Sequence, residues 1–250
     1  MVRREAASRY TRRSDSHRNG CMPQRDHDIY ASAPLRQLQD DQTRALTPDL
    51  QRCFGDYALL VDASPDNLPP PALPMLGCWI RLTVDDTRYR GDLHAETAEA
   101  LPFIDDAFEL VFLRHALEAI PLPSSLLAEA ARVLAPGGVL AIGGVHPLSA
   151  WLPWFRWRAR GQRRHLTLPV RLVLQLQQQG FDIERVQRVG SMLPGTTRPD
   201  GAGATPLGGG YILIARKRRR AVTPLRLQPA PLQVPASSRL SPSTRRSASA

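Results

Sequence analysis

The chain has 250 residues, of which 42% are hydrophobic, and its 33 Lys and Arg against 23 Asp and Glu give a formal net charge of +10. That length suits one α/β domain with tails, and that apolar share supports a sizeable core. The charge is uneven: 6 basic and 13 acidic residues over 51–150 give −7, 9 and 3 over 151–215 give +6, and 9 and 0 over 216–250 give +9. The high isoelectric point therefore belongs to a flank and a tail, which argues against a folded basic groove for nucleic acid.

In chain order, residues 1–50 are polar, Arg-rich and unpatterned and read as a disordered extension. Strands are predicted at Tyr57–Val61, Ile80–Val84, Glu109–Leu113, Val139–Gly144, Phe181–Val189 and Tyr211–Ala215, from short apolar runs between turn signals. Between the first two lies PDNLPPPALP, residues 65–74, whose five prolines exclude a normal helix. A helix is predicted over Ser124–Leu134, stopped by Pro136-Gly137-Gly138, and another from Leu168 to Gln179 with Pro169 in its first turn and Gly180 at its end. GAGATPLGGG, residues 201–210, lacks the Lys-Ser/Thr of a phosphate loop and reads as a hairpin loop. Residues 218–250 mix Pro, Ser and Arg without acid and read as a disordered basic tail. Strand-like and helix-like segments alternate between these ends, the pattern of βαβ units on a mostly parallel sheet over 51–217.

Cys21, Cys53 and Cys78 are odd in number and widely spaced, which suggests neither a disulfide framework nor a zinc site. No apolar run reaches eighteen residues, and the N-terminus lacks the apolar core of a signal peptide. A cytoplasmic protein with no transmembrane segment is expected.

The stretch LPFIDDAFELVFLRHALEAIPLPSSLLAEAARVLAPGGVLAIGGV, Leu101 to Val145, resembles the second half of the type 11 class I S-adenosylmethionine-dependent methyltransferase domain. LPF, the acidic turn Asp105-Asp106, the FELV strand and RVLAPGG stand in that family's order. Downstream, LQQQGFDIERVQRV resembles its last helix and sixth strand, and GGGYILIARKR its antiparallel seventh strand. The resemblance covers about residues 57–217 and implies an α/β, Rossmann-like methyltransferase sheet, with S-adenosyl-L-methionine as cofactor.

It also implies where that cofactor is held, in the crevice at the carboxyl ends of the parallel strands. The family's first strand ends in a GxGxG loop that lets the backbone approach the methionine part of the donor. Here YALLV is followed by Asp62, Ala63 and Ser64, without a glycine. Asp85 or its neighbour Asp86 stands where an acid accepts the ribose hydroxyls, Ala98 and Glu99 stand near the expected adenine contact, with Asp92 as the alternative acid, and Arg114 heads the segment after the fourth strand. Methyl transfer needs the reactants positioned and, for some acceptors, one proton removed. His115 and His146 end strands that face the crevice, and either is a candidate base.

WLPWFRWRARGQRRH, Trp151 to His165, interleaves four aromatic residues with five arginines. Such a mixture suits a planar or anionic acceptor, an anionic lipid surface or nucleic acid, and it also suits a surface helix with packed aromatics and solvated arginines. Two function classes follow: a methyltransferase acting on a small-molecule or lipid-like acceptor, or a non-catalytic methyltransferase-like module binding nucleic acid or a protein through its Arg-rich flank and tail. The acceptor and the oligomeric state are not written in the sequence.

Overall fold

The computed structural model describes residues 29–64, 68–85, 87–160, 164–196 and 205–219, all within the first of two compact units, Met1–Arg219. Its elements are α1 (Ala33–Leu50), β1 (Gly55–Asp62), β2 (Leu76–Asp85), β3 (Arg88–Gly91), β4 (Ala95–Glu96), β5 (Phe108–Arg114), α2 (Ala116–Ala119), α3 (Pro123–Val133), β6 (Leu134–Val145), α4 (Trp151–Arg158), α5 (Pro169–Gln178), β7 (Phe181–Val189) and β8 (Gly210–Lys217). The strands form one sheet in the order β4-β3-β2-β1-β5-β6-β8-β7. β2, β1, β5 and β6 run parallel, and β8 enters antiparallel between β6 and β7. Every predicted strand lies within an observed one.

β1 reaches β2 without a helix. Of this connection, residues 68–75 are described and none is helical, as the prolines require. Pro71, Leu73 and Leu76 are buried, so the strap covers part of the sheet where a helix would lie. β2 then turns back into the antiparallel β3, so no crossover helix follows it either.

The N-terminal expectation fails. Residues 29–50, read as disordered, form a short 3-10 turn, Ile29–Ala31, and the eighteen-residue α1. Ile29, Tyr30, Leu35 and Leu38 join the core on the α3–α5 side of the sheet, while Ala45, Leu46 and Leu50 join the core on the opposite side. α1 thus touches both cores. Each buried leucine contributes about 1.5–3 kcal/mol, enough for a helix to hold although polar residues outnumber apolar ones. The tail boundary also moves: the Arg218 amide donates to the Gly180 carbonyl and its guanidinium pairs with Asp182. Residues 1–28 and 220–250 lie outside the described residues.

Pro136-Gly137-Gly138 is a bulge rather than a helix stop. α3 ends at Val133, and the β5–β6 register passes from Phe108 opposite Leu134 to Leu110 opposite Val139, with Gly137 at φ 86°. Arg132, just before it, ties the LPF segment down. Its guanidinium donates to the carbonyls of Leu101 (2.9 Å) and Phe103 (2.8 Å) and to the carboxylates of Asp105 (2.8 Å) and Glu129 (2.8 Å). The motifs LPF and RVLAPGG are therefore halves of one fastening.

Candidate functional site

At the end of β1 the Asp62 carboxylate accepts hydrogen bonds from Arg114 Nε (2.8 Å), from Arg114 Nη2 and from the Ser64 amide (3.0 Å). Arg114 Nη2 also donates to the carbonyl of Leu68, 2.8 Å away in the proline-rich strap. The Ala63 amide donates to the Arg114 carbonyl at 3.1 Å. Asp62, Ala63 and Ser64 are buried, and Arg114 is 2% exposed. Four of the residues expected to hold a cofactor are thus brought together, but they hold one another. The guanidinium clamps β1, β5 and the strap.

His115 sits on the other flank of the same strand ends, in the left-handed region at φ 56°, directly before α2. It is fully buried. Its Nδ1 lies 3.1 Å from Glu118 Oε2 and its Nε2 2.8 Å from Gln42 Oε1. The Gln42 amide is oriented by its own nitrogen, which donates to the carbonyls of Gly144 (2.8 Å) and Tyr211 (3.1 Å). Glu118 accepts the Val145 amide on one oxygen and the Tyr30 hydroxyl (3.2 Å) on the other. Both ring nitrogens of His115 are thus engaged by protein groups, the Glu118 carboxyl and the Gln42 amide oxygen. A ring so held, in a fully buried position, presents neither nitrogen to a ligand in this conformation.

The β6 end, expected to open on the crevice, is filled from α1 and α2. A Cβ added at Gly143 would meet Gln42 Oε1 at 3.2 Å, and one at Gly144 would meet Glu118 Oε1 and the Tyr211 hydroxyl at 2.8 Å. These glycines give room to protein side chains. Tyr30, Gln42 and Glu118 carry this network, and none was singled out from sequence. Gln39, one turn before Gln42, is buried with neither amide atom bonded.

The remaining candidates are scattered. His146 is half-buried; its Nδ1 accepts the Leu148 amide at 3.1 Å, and burial, with Arg188 nearby, lowers its pKa below the ordinary histidine value. A neutral ring that accepts at Nδ1 carries its proton on Nε2. Asp85 closes β2 opposite Arg88, and its side chain lies outside the described set. Ala98 and Glu99 are exposed beyond β4. Glu99 borders an open hollow of about 610 Å³ with Arg88, Tyr89, Arg90, His94, Ala95 and Glu96, which contains none of Asp62, Ala63, Ser64 or Arg114. Asp92 is used by the fold: its carboxylate accepts the Arg81 amide at 2.7 Å.

A nucleoside donor needs backbone access at the end of β1 and space between the strand ends. Here the described residues of that region are buried and bonded to each other, with Arg114 on one flank and the Gln42–His115–Glu118 network on the other. They do not fit S-adenosylmethionine in this conformation.

Residues 78–142 match the family model described as a methyltransferase domain. No curated protein matches the chain in sequence. In fold the chain is similar to an S-adenosylmethionine-dependent methyltransferase of Thermotoga maritima, with 14% identity, 73% of this chain and 90% of that one covered, and a TM-score of 0.52. It is also similar to S-adenosylmethionine-dependent methyltransferases of Mesorhizobium loti (18% identity, 74% and 98% covered, TM-score 0.45) and Archaeoglobus fulgidus (14%, 73% and 94%, 0.47). The Thermotoga likeness is one of fold: a Rossmann-like sheet, parallel at its centre, with an antiparallel strand inserted beside its edge.

Proposed function

We propose that the chain is a member of the class I S-adenosylmethionine-dependent methyltransferases, a reading supported by the domain match at residues 78–142 and by the fold around it, and that it works as a binding module whose donor seat is closed. The observation that carries this reading is the Asp62–Arg114–Leu68 clamp. A sulfonium donor brings positive charge and an amino acid moiety to the end of the first strand; in this chain a fixed guanidinium and a chain carbonyl occupy the polar positions there. What remains for binding is surface: Arg156, Arg158 and Arg160, on α4 and just past it, are exposed, and among the described residues none pairs with a carboxylate.

A second reading is a methyltransferase acting on a small-molecule or lipid-like acceptor. The family match favours it, because residues 78–142 include LPF, the FELV strand and RVLAPGG. It requires the Arg114 guanidinium to leave Asp62 when the donor arrives. The Arg114 Nε–H signal in a nitrogen-15 spectrum separates the two. Saturating S-adenosylhomocysteine should leave that signal in place; its displacement would establish the second reading.

A further inference from the structure

At the carboxyl end of β6 three segments of two loops, one in the β6–α4 connection and two in the β7–β8 connection, are laced together around Trp151. The Trp151 indole nitrogen and the Gly209 amide both donate to the Ser191 carbonyl at 3.0 Å. Arg188 Nη2 donates to the carbonyls of Leu148 (3.3 Å) and Gly208 (2.9 Å). Leu148, Met192 and Leu207 are those bonded residues or their immediate neighbours, which brings the three segments together. All three are exposed, Leu148 by 72% and Leu207 by 57%, as is Leu193. Single exposed leucines are ordinary; four apolar residues on two loops fastened to each other form a patch.

α4 starts inside this cluster, with Trp151 and Phe155 buried, and carries Arg156, Trp157 (57% exposed) and Arg158 on its outer side. From His146 to Phe181 the chain has six arginines and no Asp or Glu. We propose that this end of the molecule docks on an anionic lipid surface, the loop tips entering the interface while the α4 arginines meet headgroup phosphates. Exposed aliphatic tips beside Trp and Arg suit that boundary. Nucleic acid would use the arginines, but its bases stack on aromatic rings and give Leu148, Leu193 and Leu207 no role. The docking is independent of whether the donor seat opens.

The test is co-sedimentation of the full chain with phosphatidylcholine vesicles, with and without phosphatidylglycerol. The chain should bind the anionic vesicles alone, with a blue shift in tryptophan emission that Trp157→Ala diminishes. The double variant Leu148→Ser, Leu207→Ser keeps every charge, including those of residues 220–250, and should melt as the parent does while binding about tenfold more weakly. Met192→Ser with Leu193→Ser should act in the same direction and serves as the second variant should the first misfold. Absent vesicle binding, or binding that both double variants leave unchanged, would overturn the proposal. So would single-stranded DNA binding or self-association that the leucine changes abolish while vesicle binding stays intact.

Discussion

Asp62 and Arg114 form a buried ion pair that Arg114 Nη2 also ties to the Leu68 carbonyl of the strap, and such pairs are costly to halve. Arg114→Leu, which leaves the Asp62 carboxylate buried without its partner, should destabilise the fold by about 3–5 kcal/mol in urea unfolding. Adding Asp62→Leu to it should recover much of that loss. Gln39 is the opposite case, a buried amide without partners, so Gln39→Leu should gain about 1 kcal/mol, a rise of roughly 2–4 °C in melting temperature. His146 binds its proton less readily in the fold than in the unfolded chain, because burial and Arg188 disfavour the imidazolium. Stability is thus retained above the ordinary histidine range and lost as pH falls through the lower folded value. His146→Gln should flatten the fall in melting temperature between about pH 7 and pH 5.

Among the elements, the six longer strands and α3 were legible because apolar runs and proline or glycine punctuation mark them directly, while the short β3 and β4 carry no such run. α1 was not. Leu35, Leu38, Ala45, Leu46 and Leu50 recur at helical spacing, but the buried positions between them hold Gln39, Asp41 and Gln42, so the apolar stripe is interrupted where the helix reaches the strand ends. The site was half legible for the same reason. Asp62, Ala63, Ser64 and Arg114 do meet, while Tyr30 and Gln42, which help fill the crevice, lie in the segment set aside as disordered. Arg132 explains why LPF and RVLAPGG occur together, and its fork is what the job demands. Burial is modest, yet hydrogen bonds from Arg132 hold the Glu129 carboxyl below the usual carboxylate range. Arg132→Lys keeps the charge but cannot reach both carbonyls and both carboxylates; it should cost about 1.5–3 kcal/mol in urea unfolding, and a loss below that range would mean the fork is dispensable.

On the scale of the whole molecule, the Rossmann-like sheet is complete while its central strand ends are filled by the chain itself. After β1 the described residues form a proline strap and no helix, β2 turns back into a hairpin, and α1 with α2 packs Gln42 and Glu118 against the β6 end. A mostly parallel sheet with an antiparallel late strand could be anticipated because strand patterning and the late motifs are local signals. The closure could not, because it depends on side chains far apart in sequence, Asp62 with Arg114 and Gln42 with His115, meeting across the strand ends. The most direct measurement is the melting temperature of the full chain in millimolar S-adenosylmethionine. A donor present at a hundred times its dissociation constant stabilises by about 2.7 kcal/mol, which for a domain of this size is roughly 5–11 °C. A closed seat predicts no shift, and a rise of that size would contradict it.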